Sequence, residues 1–202
     1  PKPIPMKNVL FLLLLASFTS NAQWIELFNG QDLNNWKISE NPASFRVENG
    51  ELIVNGNRGH LFYNGYTPKN FEVHARVKTY AGANSGLYVC TKFLENDWPK
   101  QGYEIQVNNS HTDWRRTASV YGIVDTKDTY VKDEEWFDLN VIVQGNHITT
   151  KINGKTVIDY TEPADRTNGS DPRKVQAGTI AIQAHDPKSK VVYQQIQVRE
   201  IK

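Results

Sequence analysis

The sequence predicts an all-β protein, an antiparallel two-sheet jelly-roll sandwich. Three observations predict it. Short runs of β-branched and aromatic residues, many alternating apolar with polar, recur along residues 44–202, as half-buried strands require. Gly, Asn and Pro punctuate these runs, with Asn49-Gly50, Gly145-Asn146 and Asn153-Gly154 at hairpin positions. No window keeps a helical period beyond about two turns, so no crossover helices link parallel strands.

In chain order, Gln31–Trp36 reads as one short helix. Ser44–Glu48 and Glu51–Asn55 flank the Asn49-Gly50 turn. Gly59–Tyr63, Phe71–Thr79, Ser85–Thr91, Tyr103–Asn108 and Ala118–Ile123 follow as strands. Trp136–Gln144, His147–Ile152 and Lys155–Tyr160 form a meander through the two later turns, and Gly178–Ala184 and Val191–Lys202 close the set. With no Cys…Trp…Cys pattern an immunoglobulin domain is disfavoured, and two large curved sheets suit the strand number better. The polar stretch Asp165–Lys174 reads as a surface loop at the rim, not as a linker.

The chain has 202 residues, with 23 Lys+Arg against 22 Asp+Glu. That balance argues against a nucleic-acid partner and against an acidic disordered tail. Aromatics make up 11 % of residues, which suits a packed core or a sugar-binding surface. A single Cys excludes a disulfide framework and a cysteine-built metal cluster. Cys90 sits in an apolar run and reads as a buried structural thiol.

The first residues read as an address. Met6 is the only Met, Lys7 supplies positive charge, Val9 to Phe18 is apolar, and Ser20-Asn21-Ala22 is a small-x-small cleavage site. This is the anatomy of a secretory signal peptide, too short to span a bilayer as a helix of ~20 residues. The expected layout is residues 1–22 as upstream residues plus leader and 23–202 as one jelly-roll domain. The mature chain would be secreted or periplasmic and would have no membrane span.

Tyr103–Asn108 is the most informative strand. Alternation sends Ile105 and Val107 to the core and Glu104, Gln106 and Asn108 to the opposite face. An acid beside two amides suits a sugar, whose hydroxyls need donors and acceptors together, though a solvated face is equally compatible. In Thr179–His185 the same alternation places Gln183 and His185 together. Arg58-Gly59-His60 puts a cation and an imidazole beside a residue that permits close approach. Trp98, Tyr103, Trp114 and Tyr121 flank the Glu104 strand as candidate stacking platforms. The loop His111 to Arg116 follows that strand and is polar and aromatic. The candidate catalytic residues are therefore Glu104, His60 and His185. The candidate substrate-binding residues are Arg58, Gln106, Asn108, Gln183, Trp98, Trp114 and Tyr121.

No G-x-S-x-G, phosphate-binding Gly loop, H-E-x-x-H or EF-hand loop is present. No metal ligand set and no cofactor is expected. Asp125-Thr126-Lys127-Asp128 leaves calcium or another divalent ion open, with the central Lys against it.

Several blocks, in order, resemble one family. Leu27-Phe28-Asn29-Gly30-Gln31-Asp32-Leu33-Asn34-Asn35-Trp36 resembles the opening of the 3-keto-disaccharide hydrolase domain family. So do Phe71-Glu72-Val73 with Ala83-Asn84-Ser85-Gly86-Leu87, and Gly102-Tyr103-Glu104-Ile105-Gln106. Trp136-Phe137-Asp138 with Ile152-Asn153-Gly154-Lys155, and Gly178 through His185, complete the series. The resemblance covers nearly all of residues 24–202. It implies a concanavalin A-like fold of the lectin and glucanase type, secretion, and cleavage of glycosides already oxidised at C3. Two departures stand. Cys90 and Thr91 occupy positions where the family often carries an Arg, and Tyr193-Gln194-Gln195-Ile196 replaces a block that often has Arg second. If an Arg there binds substrate in relatives, a different substrate, or none, is an open alternative.

Laminarinase-like glycosidases of this fold class carry alternating carboxylates on one strand. Here Glu104-Ile105-Gln106-Val107-Asn108-Asn109 keeps only the first. A retaining mechanism needs two carboxyl groups ~5–5.5 Å apart, so ordinary glycoside hydrolysis is disfavoured. A 3-keto sugar relaxes that need, because the carbonyl acidifies the C2 proton and one base can start an elimination that water completes. Glu104, His60 or His185 would be the base, with Gln106, Gln183 or Arg58 steadying the enolate. The expected partner is an oligosaccharide or a 3-keto-glycoside. A non-catalytic carbohydrate-binding module explains the same face and aromatics.

Overall fold

The computed structural model describes residues 22–65, 67–166 and 170–202. The expected leader and residues 167–169 of the polar loop lie outside the described residues, except for Ala22. Thirteen strands are described: β1 Ile25–Glu26, β2 Trp36–Ile38, β3 Phe45–Glu48, β4 Glu51–Asn55, β5 Gly59–Tyr63, β6 Phe71–Thr79, β7 Ser85–Thr91, β8 Tyr103–Val107, β9 Phe137–Gln144, β10 His147–Ile152, β11 Lys155–Thr161, β12 Thr179–Ala184 and β13 Lys190–Glu200. The large sheet runs β11-β10-β9-β6-β13-β4-β3, with β1 added on β13, and the small sheet runs β2-β5-β12-β7-β8. Every described pairing is antiparallel. The fold is thus the all-β, two-sheet sandwich expected.

Alternation builds the core. Phe71, Val73, Ala75 and Val77 of β6 and Phe137, Leu139, Val141 and Val143 of β9 point between the sheets. Leu87 and Val89 of β7, Ile105 and Val107 of β8, and Ile180 and Ile182 of β12 meet them from the other side. Fully burying such a side chain contributes about 1.5–3 kcal/mol. In β13 the register shifts between Tyr193 and Gln195. This bulge restores alternation, so that Tyr193 and Ile196, three residues apart, both enter the core.

A second irregularity falls at Cys90. The β7–β12 register shifts here, and Cys90 adopts φ 57. The chains close tightly around it: a Cβ on Gly102, at φ +75, would lie 2.2 Å from the Val89 carbonyl oxygen. Cys90 is buried, and burial pushes its thiol up to about 11. It is an inert structural residue at neutral pH.

Three expectations are corrected. Gln31–Trp36 is not a helix. The Asn29 side chain accepts from the Gln31 and Asp32 amides and makes a turn, and Trp36 then opens β2. Ala118–Ile123 is not a strand. Ala118 at φ 76 and Gly122 at φ 67 curl it, leaving only single bridges from Val120 to Ile105 and Val124. Ser44 belongs to a 3-10 turn begun by Pro42 rather than to β3. No helix among the described residues is long and apolar enough to cross a membrane.

Candidate functional site

The outer face of the small sheet carries the site. Register aligns Phe62 of β5 with Ala181 of β12, Ala181 with Tyr88 of β7, and Tyr88 with Glu104 of β8. In the neighbouring row His60 pairs with Gln183, and Gly86 with Gln106. Over the second half of this face opens a cleft of about 320 Å³, walled by Trp98 and Pro99, Tyr121 and Arg173 from three loops.

Glu104 is its centre. The Tyr88 hydroxyl donates to Oε2 at 2.9 Å, and Gln183 Nε2 donates to Oε1 at 3.0 Å. Gln183 Nε2 also lies 2.9 Å from the Tyr88 oxygen, closing a triangle. Gly86 makes the space, since a Cβ there would lie 2.5 Å from Glu104 Oε1. Burial pushes the Glu104 carboxyl up to about 7, against the Tyr88 and Gln183 hydrogen bonds. A carboxyl near 7 exchanges a proton readily at neutral pH.

Three amides line the cleft with unused polar atoms. Gln106 is fully buried and neither atom of its amide has a partner, while Gln183 Oε1 and Asn84 Oδ1 are also unpaired. Buried polar atoms are rarely left so. They are buried donors and acceptors that the rest of the protein leaves unsatisfied.

Trp98 packs its ring against His60 at 5.6 Å and His185 at 5.5 Å between centroids. Tyr121 hydrogen-bonds Asp113 at 3.1 Å. Arg173 donates to the Tyr121 carbonyl at 2.8 Å and is clamped by Asp171, whose carboxyl it helps hold far below the usual range. His185 sits 2.8 Å through Nδ1 from Asp186 Oδ2.

Of the residues singled out in the sequence, Glu104, Gln106, Gln183, His185, Trp98 and Tyr121 line this cleft. Four do not. His60 is fully buried beneath Trp98, with both ring nitrogens unpartnered, and burial pushes its imidazole down to about 4. Arg58 is engaged by Glu40 at 2.9 and 3.2 Å. Asn108 is fully buried and pins the loop behind β8. Its amide donates to the Asp113 and Arg115 carbonyls, and its oxygen accepts from the His111 amide and Arg116. Trp114 is exposed and stands beside Arg115 instead. Sequence reasoning missed Tyr88, Asn84 and Arg173. The signal for Tyr88 was available in alternation, because it stands between the core residues Leu87 and Val89.

For a metal, the Asp125–Asp128 run is a poor fit, since Asp125 already accepts from Arg115 and the Gly122 amide. Among the described residues, His111, His185 and Asp186 form a cluster whose ligand atoms lie within 4.8 Å of one another.

Residues 23–199 match the model of the 3-keto-alpha-glucoside-1,2-lyase-like domain. The chain belongs to that family. It is a carbohydrate-active domain of the 3-keto-disaccharide hydrolase type. No curated protein matches the chain. Two solved structures, both glycosyl-hydrolase candidates from Parabacteroides distasonis ATCC 8503, share the family member's fold. One is 20 % identical with TM-score 0.76, covering 89 % of this chain and 94 % of that one. The other is 24 % identical with TM-score 0.72, covering 89 % and 100 %. The carbohydrate-binding module CBM66 from Bacillus subtilis is 12 % identical with TM-score 0.60, covering 82 % and 96 %.

Proposed function

We propose that this domain cleaves 3-keto-glycosides by elimination across C1 and C2. The observation that carries the reading is Glu104, a lone carboxyl with its proton affinity set near neutrality by burial and aimed by Tyr88 and Gln183. The Glu104 carboxylate takes the C2 proton. The C2–H electron pair forms the enolate, whose charge rests on the C3 oxygen. Collapse of the enolate restores the carbonyl, forms the C1–C2 double bond and expels the C1 oxygen substituent. The proton held by Glu104 passes to that leaving oxygen, so the carboxylate is regenerated. Addition of water across the double bond completes net hydrolysis. The unpaired Gln106 amide supports the enolate by donating to its oxygen. Trp98 supplies the stacking wall for the sugar ring.

Release of a chromophoric aglycone from a 3-keto-glucoside tests the reading, with the unoxidised glucoside run beside it. Release from the keto form alone is expected. Binding of both forms without release would make the domain a carbohydrate-binding module. We also propose that the protein is exported and cut near Ala22, which the N-terminal sequence of the mature protein would check.

A further inference from the structure

We propose that the end of the cleft holds one divalent transition-metal ion, ligated by His111, His185, Asp186 and Asn84. Two independent observations carry it. The first is the cluster itself, three ligand atoms from three different side chains within 4.8 Å. Its members come from two separate stretches, the loop after β8 and the turn after β12, and the two imidazoles meet edge to face, with centroids 5.6 Å apart and planes inclined by 64°.

The second is Asn84. Its side chain is buried, lines the cleft, and leaves Oδ1 without a partner. Its amide reaches the cluster at 3.4 Å from His111 Nδ1, long for a hydrogen bond. Two ligands about 2.1 Å from one ion stand about 3.0–3.4 Å apart, so this is a natural spacing for neighbouring ligands. The oxygen and nitrogen of an amide exchange places by a half-turn. That turn carries the orphaned oxygen toward His111 and the cluster.

The surroundings hold these groups in place. Asp186 is fixed by the Lys188 and Ser189 amides and the Ser189 hydroxyl. It faces His185 at 2.8 Å, so it also fixes the orientation of that imidazole. The Asp113 amide donates to His111 Nδ1 at 3.0 Å and is the contact an ion there would displace. Two imidazoles with oxygen donors suit zinc, cobalt, nickel or manganese. Calcium, which takes six to eight oxygens, is not served. Since Asn84 and His185 both line the cleft, the ion would face the ligand bound beside Glu104.

The test uses the whole chain, stripped with chelator and titrated with Zn²⁺, Co²⁺, Mn²⁺ and Ca²⁺ by calorimetry, with no sugar present. One equivalent of Zn²⁺ or Co²⁺ is expected, with visible Co²⁺ bands of nitrogen–oxygen ligation. Affinity should fall at least tenfold in His111→Gln and in His185→Gln, each verified as folded by circular dichroism. Absence of stoichiometric binding, binding of Ca²⁺ alone, or binding unchanged in both variants would overturn the proposal. Because the readout is metal uptake, failure here leaves the elimination reading standing, and failure of keto-glucoside cleavage leaves the metal site standing.

Discussion

The hydroxyl of Tyr88 donates to Oε2 of Glu104 at 2.9 Å across the β7–β8 pair. The two residues stand directly opposite one another, and Gln183 from β12 bonds both. Three strands therefore position one carboxyl, with no loop involved, and rigid elements hold such geometry more closely than loops do.

Glu104→Gln should lose activity by ~10²–10⁴-fold, the usual contribution of a positioned base. Steady-state kinetics on a 3-keto-glucoside would measure it, and a loss below tenfold would count against the assigned role. For the unaltered protein, the rate should rise with pH through about 7, because the carboxylate is the active form.

The same variant should gain stability in mild alkali. An acid whose pKa rises on folding, here from 4.5 to about 7, holds its proton more tightly in the folded state. Its stabilisation is full below the unfolded value and is lost as pH rises through the folded one, a change of roughly 3 kcal/mol at most. Glu104→Gln should therefore melt higher than the parent at pH 8 and equally at pH 4.5. Paired thermal scans at the two pH values would show it.

His60→Phe is expected to stabilise the protein in acid. The imidazole is buried with neither nitrogen partnered, and burial lowers its pKa from 6.5 to about 4. Stability from keeping it neutral is present above 6.5 and drains as pH falls toward 4. At pH 5 the Phe variant, whose ring meets Tyr88, Phe62 and Trp98, should gain ~2 kcal/mol. Urea unfolding at pH 5 and pH 7.5 would separate this from a uniform packing change.

Gln106→Leu should trade function for stability. It removes two buried polar atoms that nothing satisfies, so folding should be unchanged or improved by about 1 kcal/mol. Activity should fall by at least tenfold if those atoms serve the substrate. A variant both unimpaired and no more stable would show that the amide has no such part.

Gly86→Ala probes space. The new Cβ would meet Glu104 Oε1 at 2.5 Å and Cγ at 2.8 Å, so the whole side chain must rotate out of its place, and since no backbone atom is among the nearest met the sheet should survive. Catalysis should collapse about as far as in Glu104→Gln, with KM and a thermal melt taken to confirm that binding and fold persist.

Much was legible along the chain. Period-two alternation marked the long strands, and three Asn/Gly turns placed their hairpins, because both are local properties of neighbouring residues. β1 and β2, with two and three residues, escaped because so few positions show no period. Ala118–Ile123 looked like a strand because its apolar residues are real core residues, carried there by a curled loop. Asn108 read as a site residue because alternation names a face and is silent about what lies over it. The folded-back loop behind β8 covers that end and consumes every one of its hydrogen bonds.

Convergence belonged to the tertiary structure alone. Glu104, Gln183 and Tyr88 are distant in sequence, and only strand order and register bring them within 3.0 Å. The same holds for exclusion: His60 and Gln183 are register partners, yet Trp98 covers one while the other opens to the cleft. Burial then set the chemistry of Glu104 and His60 in opposite directions, raising the carboxyl to about 7 and lowering the imidazole to about 4. Alternation is written residue by residue and can be read from the chain. Proximity and desolvation arise from what distant segments place around a group, and they exist only once the two sheets have closed.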